Sequence, residues 1–274
     1  MIVLLKEFLP SEWSQGKTVL WHPEDKNHKH PPRDWIELIW RYVRDHFSTT
    51  ERLHRLQNFS LIPVSMKQST VTLRPLNHPS TIVIKSLGGD VIDDALMHVL
   101  TKMGGTVLTD CPDFILDHPS VLDTFVHRPN VHGIFKTIVN LDSKFTTKKL
   151  SEVVRGFSAR EKRSLRSFLA NVKPVQVGKK ERNLMCSLPI FETFSKRFVS
   201  KNEGLPAAGI ESLPIQPRQE LIDISQEESR SLALLLEVRI LKPTEVLCEA
   251  VFPDIQNGKY NGGQIDKLLS LIHI

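Results

Sequence analysis

All four tryptophans of this 274-residue chain fall within its first 40 positions, at Trp13, Trp21, Trp35 and Trp40. An indole ring carries a large apolar surface and one polar N–H group, so exposing four of them to water would be costly. The amino-terminal stretch must therefore pack into a core or against another protein. Because aromatic side chains dominate the binding energy of protein interfaces, Trp13, Trp21 and Trp40 are our candidate protein-docking residues.

Steps in which proline follows leucine or isoleucine recur along the chain. They occur at positions 9–10, 62–63, 188–189, 205–206 and 213–214. Residues 103–108 can also be aligned with residues 236–241, because in each case a helical pattern runs into a short extended piece. This recurrence suggests that one structural unit is used more than once. We predict an α+β fold of two related units, in which small β-sheets pack with amphipathic helices.

The helix that carries the last two tryptophans follows Asp34, a residue type that caps helices well. Its apolar positions Trp35, Leu38, Ile39 and Tyr42 recur at the spacing of one helical face. We therefore predict that this stripe faces a hydrophobic core.

Extended runs at residues 59–64, 70–73 and 81–85 predict a small sheet, and a further strand is expected at 184–191. Residues 177–183 are predicted to form a charged turn. Capping-box sequences that begin at Ser158 and Ser225 predict two helix starts, and Gly104 is expected to end another helix in the left-handed conformation.

These signals divide the chain into four parts. They are a Trp-rich α+β unit (1–143), a basic helical connector (144–183), a second α+β unit (184–268) and a tail (269–274). The tail (LSLIHI) follows the breakers Gly262 and Gly263, and it looks like a translated sequencing adapter. We expect a non-native tail that contributes nothing to the fold.

The net charge of +5 is unevenly distributed. Residues 144–201 hold 15 Lys and Arg against 4 Asp and Glu, whereas residues 202–274 hold 6 against 11. A solvated helix face with a linker explains this block most simply, while an acidic partner protein or a nucleic acid are the alternatives. The candidate basic patch comprises Lys148, Lys149, Arg160, Lys162, Arg163, Arg166, Lys179 and Lys180.

No motif of the chain points to catalysis, a metal or a cofactor, and we expect none of the three. His22, His28 and His30 lie close in sequence, but no cysteine or His-Glu-x-x-His pattern accompanies them, so they are interpreted as surface histidines. Cys111 has no His–carboxylate pair tied to it by a motif. The glycine pairs at 88–89 and 262–263 lack the rest of a phosphate-binding loop.

Targeting signals are also missing from the sequence. The longest apolar runs are far shorter than the roughly 20 residues that span a bilayer. Three widely spaced cysteines fit a reducing compartment without a disulfide framework. We therefore expect a cytoplasmic location and no membrane partner.

An extended pattern of residues resembles the sacsin family of chaperone-like proteins, in the repeat region downstream of their Hsp90-like nucleotide-binding folds. The segments that carry the resemblance are 188–193 (LPIFET), 213–217 (LPIQP), 221–225 (LIDIS), 232–241 and 243–253, with 9–13 (LPSEW) and 35–47 near the start. The resemblance covers nearly the whole chain, up to about residue 268.

This resemblance implies a piece of a cytoplasmic co-chaperone that works with Hsp70 in protein quality control. The chain lacks the family's ubiquitin-like domain, its J-domain and its Hsp90-like ATP-binding motifs, so activities of those parts cannot be assigned to it. We predict a non-catalytic scaffold module that contacts other repeats of the same parent protein, and Hsp70-type chaperones or clients through that parent. The alternative is a module that binds nucleic acid or an acidic partner through residues 144–201.

Overall fold

The computed structural model describes residues 6–7, 9–24, 30–66, 70–76, 80–109, 111–118, 120–144, 149–209 and 220–272, with backbone only at 65–66 and 268–272. It divides into two compact units, Met1–Thr147 and Lys148–Ile274. Small sheets of two or three strands are combined with helices in both, so the predicted α+β class is confirmed. The predicted connector falls almost entirely within the second unit.

Unit 1 contains five α-helices, one short 3-10 helix (Ser11–Ser14) and eight strands within its described residues. The helices are α1 (Trp35–His46), α2 (Thr50–His54), α3 (Asp94–Lys102), α4 (Asp113–Leu116) and α5 (Val131–Lys144). The strands are β1 (Val19–Trp21), β2 (Ser60–Met66), β3 (Val71–Pro75), β4 (Ile82–Ile84), β5 (Ser86–Leu87), β6 (Asp90–Val91), β7 (Thr106–Leu108) and β8 (Val126–His127).

Two three-stranded sheets and one hairpin organise unit 1. The order β1-β3-β2 is antiparallel, whereas the order β7-β4-β8 is parallel. Helix α3 connects β4 to β7, and Gly104 ends it with φ +89, as the sequence predicted. The predicted strands at 59–64, 70–73 and 81–85 correspond to β2, β3 and β4.

The tryptophans form the centre of the unit 1 core rather than its surface. Trp13 contacts Trp21 and Trp35 edge to face, with ring centroids 6.1 and 5.7 Å apart. The Trp21 indole donates to the Pro31 carbonyl at 2.7 Å, and the Trp40 indole donates to the Leu61 carbonyl at 2.8 Å.

Trp13, Trp21 and Trp40 are each 0% exposed. The docking prediction for these residues is therefore wrong, because rings that fill a core cannot contact a partner from the surface. Their burial satisfies the same physical demand that motivated the prediction, namely removal of indole surface from water.

The buried face of α1 coincides only in part with the predicted one. Of the predicted stripe, Trp35 and Ile39 are partly buried and pack against the core, whereas Leu38 and Tyr42 are 56% and 42% exposed. The fully buried residues of the helix are Ile36, Trp40 and Val43. The helix carries two overlapping apolar stripes with the same periodicity. The stripe that contains Trp40 faces the core, and the Trp40 indole N–H donates to a buried carbonyl there.

This reassignment predicts unequal effects of two truncations on α1. Ile36→Ala should lower the free energy of unfolding by roughly 2–5 kcal/mol, because it leaves a cavity in the core. Leu38→Ala should cost less than about 0.5 kcal/mol, since surface substitutions seldom exceed that. Chemical denaturation of both variants checks the order. Equal losses would contradict the assignment of the two faces.

Unit 2 contains seven α-helices, two short 3-10 helices (Pro174–Gln176 and Lys201–Glu203) and four strands within its described residues. The helices are α6 (Leu150–Arg155), α7 (Ala159–Ala170), α8 (Lys179–Ser187), α9 (Glu227–Leu235), α10 (Pro243–Val246), α11 (Phe252–Gln256) and α12 (Gly262–Ile272). The strands β9 (Phe191–Glu192) and β10 (Phe198–Val199) pair antiparallel, and β11 (Ala207–Ala208) and β12 (Ile222–Asp223) pair in parallel.

Helix α7 begins at the predicted capping box, in which Ser158 and Glu161 bond each other's backbone N–H groups. The second predicted box is wrong. Helix α9 starts after Gln226, and Ser225 instead donates to the carboxylate of Asp223 at 2.7 Å. The turn predicted at 177–183 and the strand predicted at 184–191 are also wrong, because α8 occupies most of the first segment and half of the second, and strand β9 begins only at Phe191.

A π-helical turn, Leu247–Val251, joins α10 to α11. Pro253 follows it and has no backbone N–H, so the regular α-helical bonding must adjust ahead of it. Helix α12 runs through Ile272 and so crosses the predicted boundary at 268. The prediction that residues 269–274 contribute no stability stays a prediction, which deletion of those residues and a thermal melt would check.

His127 at the end of β8 is a fully buried imidazole. Its Nε2 lies 3.3 Å from the amide nitrogen of Asn140, which also donates to the Ser80 carbonyl at 2.7 Å. Burial, helped by the charge of Lys136, lowers the His127 pKa to about 4. The folded protein therefore holds this ring in its neutral form.

The depressed pKa predicts acid sensitivity. Between pH 6.5 and about 4, His127 binds a proton in the unfolded chain but not in the folded one. The free energy of unfolding therefore falls as the pH is lowered. One proton contributes about 1.4 kcal/mol per pH unit, or roughly 3 kcal/mol over this window. His127→Gln should flatten the slope between pH 6.5 and 4 in urea melts. An unchanged slope in the variant would assign the sensitivity to other groups.

Candidate functional site

An open groove of about 520 Å³ lies on unit 1 between α1 and the segment that contains α4. The lining residues are Glu37, Trp40, Arg41, Arg44, Cys111, Pro112, Asp113, Phe114 and Asp117. Its volume is in the range of protein binding pockets, and its position on two helices gives it firm walls. We refer to it as the α1–α4 groove.

The half-buried Phe114 ring forms the aromatic part of the base of the α1–α4 groove, and the fully buried Trp40 supports it from beneath. Trp40 is anchored by its bond to the Leu61 carbonyl, and Phe114 stacks on it with ring centroids 6.2 Å apart. The His118 ring lies edge to face with Trp40, with ring centroids 6.1 Å apart. Because each ring is fixed by a neighbour, the groove needs little ordering before it can bind.

Charges of both signs line the rim. Arg41 lies 4.0 Å from Glu37, and Arg44 lies 3.4 Å from Asp45, all on α1. These side chains are about half exposed or more, and such surface pairs are weak. Asp113 and Asp117 face the groove from the other wall and are exposed. A partner polypeptide could therefore replace these weak ion pairs with ion pairs to its own charged side chains.

Cys111 is the one nucleophilic side chain among the lining residues. Burial and the neighbouring charge of Asp113 raise its pKa to about 12. The thiol therefore stays protonated at neutral pH, and the thiolate is the reactive form. This environment suits a packed thiol and argues against covalent chemistry there.

The predicted basic patch is divided by a buried carboxylate. Arg163 donates to both oxygens of Glu192, at 2.9 and 2.7 Å, and Arg166 lies 4.0 Å from Glu192. Arg166 also donates to Gln226 at 2.6 Å and is itself buried. Lys196 approaches Glu192 at 3.8 Å. We call these four charged residues the Glu192 cluster.

Glu192 pairs with arginines that were predicted to face a partner. Its pKa is lowered, chiefly by the hydrogen bond from Arg163. The inclusion of Arg166 in a free basic patch is therefore wrong, because its guanidinium is buried and already paired. One signal in the sequence could have indicated this pairing: Glu192 is one of only four acidic residues in the basic block 144–201.

The other candidates of the basic patch do not share one environment. Lys162 donates to the Arg155 carbonyl at 2.9 Å and lies over the Phe198 ring at 5.2 Å. Lys149, Arg160, Lys179 and Lys180 are exposed on different helices or their caps. Lys148 lies outside the described residues.

Two of the three candidate metal histidines are in contact. His22 and His30 stack with centroids 6.0 Å apart, and the His22 backbone N–H donates to His30 Nδ1 at 3.1 Å. His28 lies outside the described residues. Within the described part of the chain, no group of three metal-ligating side chains comes together.

The structure thus defines a class of protein: an α+β module of two units that carries an aromatic-based groove with charged rims. Over the described residues, no helix has both the length and the apolar character needed to cross a bilayer.

The chain is similar to human sacsin, with 26% identity over 279 aligned positions. That alignment covers 97% of this chain but only 6% of sacsin, so the chain spans a small part of its relative's length. No protein-family model matches the chain, and no solved structure matches it. The predicted resemblance is confirmed, and the chain corresponds to a sacsin-like region.

Proposed function

We propose that the chain is a non-catalytic scaffold module of a sacsin-like co-chaperone that acts with Hsp70 in protein quality control. The similarity to sacsin runs along nearly the whole chain and supports the parent family. The α1–α4 groove carries the proposal, because it combines an aromatic base with rims of both charges and a thiol that stays protonated.

A polypeptide segment suits this groove better than a small reactive substrate. The half-buried Phe114 ring supplies apolar contact, and the exposed carboxylates and guanidinium groups can pair with either sign of side chain. The partners are client proteins, an Hsp70-type chaperone or further repeats of the parent, in the cytoplasm and away from membranes. Nucleic acid is a weaker candidate, because Arg163 and Arg166 are already held by Glu192.

The test is a holding assay with the purified chain. A chemically unfolded client is diluted into buffer with and without the chain, and light scattering follows its aggregation. We expect stoichiometric chain to suppress scattering and to leave client that Hsp70, a J-domain protein and ATP can refold. No suppression by folded chain would overturn the proposal.

Charge-reversal variants test whether the α1–α4 groove is responsible for suppressing aggregation. Asp113→Lys with Asp117→Lys should weaken suppression several-fold, because both carboxylates line the groove. The matched control is Glu51→Lys with Asp90→Lys, which changes the net charge equally at exposed positions away from the lining. Equal losses in both variants would indicate a general charge effect and exclude the groove.

We also expect the chain neither to bind nor to hydrolyse ATP. Its glycine pairs lack the lysine and serine or threonine of a phosphate-binding loop, and the acidic nucleotide-pocket motif of Hsp90-like proteins is missing. Equilibrium dialysis with labelled ATP measures this. Saturable binding at micromolar concentration would contradict the non-catalytic part of the proposal.

A further inference from the structure

Two cationic side chains of unit 1 converge on a second, much smaller pocket. Arg74 on β3 and Lys144 at the end of α5 line it, together with Pro75, Thr81 and Ile82. Arg74 donates to the hydroxyl of Thr106, and Lys144 donates to the hydroxyl of Thr81 at 3.3 Å. The site lies where β4 and β7 begin side by side.

The hydrogen-bond partners of both cations are neutral. Within the described residues, neither Arg74 nor Lys144 has a carboxylate within 4 Å. The segments that follow them closely in sequence, 77–79 and 145–148, contain no Asp or Glu. Among the described residues, these two like charges therefore share one partly desolvated site without a counter-ion, an arrangement that costs free energy.

The pKa values of both groups are lowered by this environment. Burial lowers the pKa of Arg74 and of Lys144, and the charge of Arg74 lowers that of Lys144 further. The carboxyl end of α5 favours a cation at Lys144 through the helix dipole. That dipole does not compensate Arg74, which lies on a strand, so the described part of the chain supplies no negative side chain to the pair.

The hydroxyl groups complete a set of donors. Thr81 and Thr106 each accept from a cation through oxygen, which leaves their own hydroxyl protons to donate. The pocket has a volume of about 10 Å³, close to that of one water-sized body. One oxygen of a tetrahedral oxyanion fits this space while its other oxygens stay at the mouth. Lys144 is exposed as a residue, so solvent reaches that mouth.

We propose that Arg74, Lys144, Thr81 and Thr106 form a binding site for a small oxyanion of the phosphate class. Two charge-assisted bonds and two hydroxyl donors would meet an anion whose charge neutralises the cation pair. This site is separate from the α1–α4 groove, and it requires no nucleotide and no catalysis.

Thermal melts of the whole chain with inorganic phosphate test the proposal. Phosphate replaces sodium chloride at constant ionic strength, so that screening does not change. We expect a saturable rise of the melting temperature, because a ligand that binds the folded state stabilises it. A rise no larger than that given by chloride would overturn the proposal.

Single substitutions test whether the phosphate-dependent rise of the melting temperature comes from the Arg74–Lys144 site. Lys144→Gln and Arg74→Gln should each weaken phosphate affinity at least tenfold, whereas Lys144→Arg should keep most of it. Lys136→Gln is the control, since Lys136 lies exposed on the same helix and bonds the Asp123 carbonyl. Because Lys144 ends a helix, its variant should fold even if Arg74→Gln does not. A phosphate response retained in Lys144→Gln would exclude the site.

Discussion

Replacing Glu192 by glutamine should lower the free energy of unfolding of unit 2 by roughly 3–5 kcal/mol. The side chain of Glu192 is 8% exposed, and that of Arg166, 4.0 Å away, is 4% exposed. Removing the negative charge would take away the largest of the opposite charges that act on the buried Arg166 guanidinium. Arg163 would also lose one of its two charge-assisted hydrogen bonds.

The matched control is Glu237→Gln. Glu237 pairs with Arg182 at 2.5 Å, but its side chain is 75% exposed, so the loss should stay within about 1 kcal/mol. Urea denaturation followed by circular dichroism measures both variants. A loss below about 1 kcal/mol for Glu192→Gln would show that water replaces the carboxylate and that the cluster is not buried in solution.

Replacing Trp40 by alanine should destabilise unit 1 by roughly 3–5 kcal/mol, through the lost apolar burial and the cavity left behind. The Leu61 carbonyl would lose its indole donor as well. The same change should enlarge the α1–α4 groove and free Phe114, which stacks on Trp40. Client holding should therefore fall even at temperatures where the variant is folded.

Tyr42→Ala on the same helix is the comparison for Trp40→Ala. Tyr42 contacts His46 with ring centroids 4.2 Å apart and lies largely outside the core. We expect a loss below about 1 kcal/mol and unchanged client holding. If Tyr42→Ala weakened holding more than Trp40→Ala did, the outer face of α1 would be the docking surface.

Local signals in the sequence predicted much of the fold. The capping box at Ser158, the left-handed Gly104 and the three early strands depend on neighbours close in sequence, and all appear in the structure. The misplaced strand at 184–191 shows the limit of such signals. Leu184, Met185 and Cys186 are buried on α8, and a short apolar run fits a buried helix as well as a strand.

The groove and the Glu192 cluster could not be predicted, because both depend on contacts between distant residues. Glu192 meets Arg163 across 29 positions, and Trp40 meets Phe114 across about half the length of unit 1. Which of the two apolar stripes of α1 is buried also depends on a distant group, the Leu61 carbonyl. The sequence of α1 alone contains no information about that group.

The position of the tryptophans has a consequence for measuring this protein. All four belong to unit 1, and three of them lie within 6.3 Å of one another. Tryptophan emission therefore reports on unit 1 alone, while the far-ultraviolet signal of the helices reports on both units. If the two optical signals give different midpoints in one melt, the units unfold as separate cooperative domains.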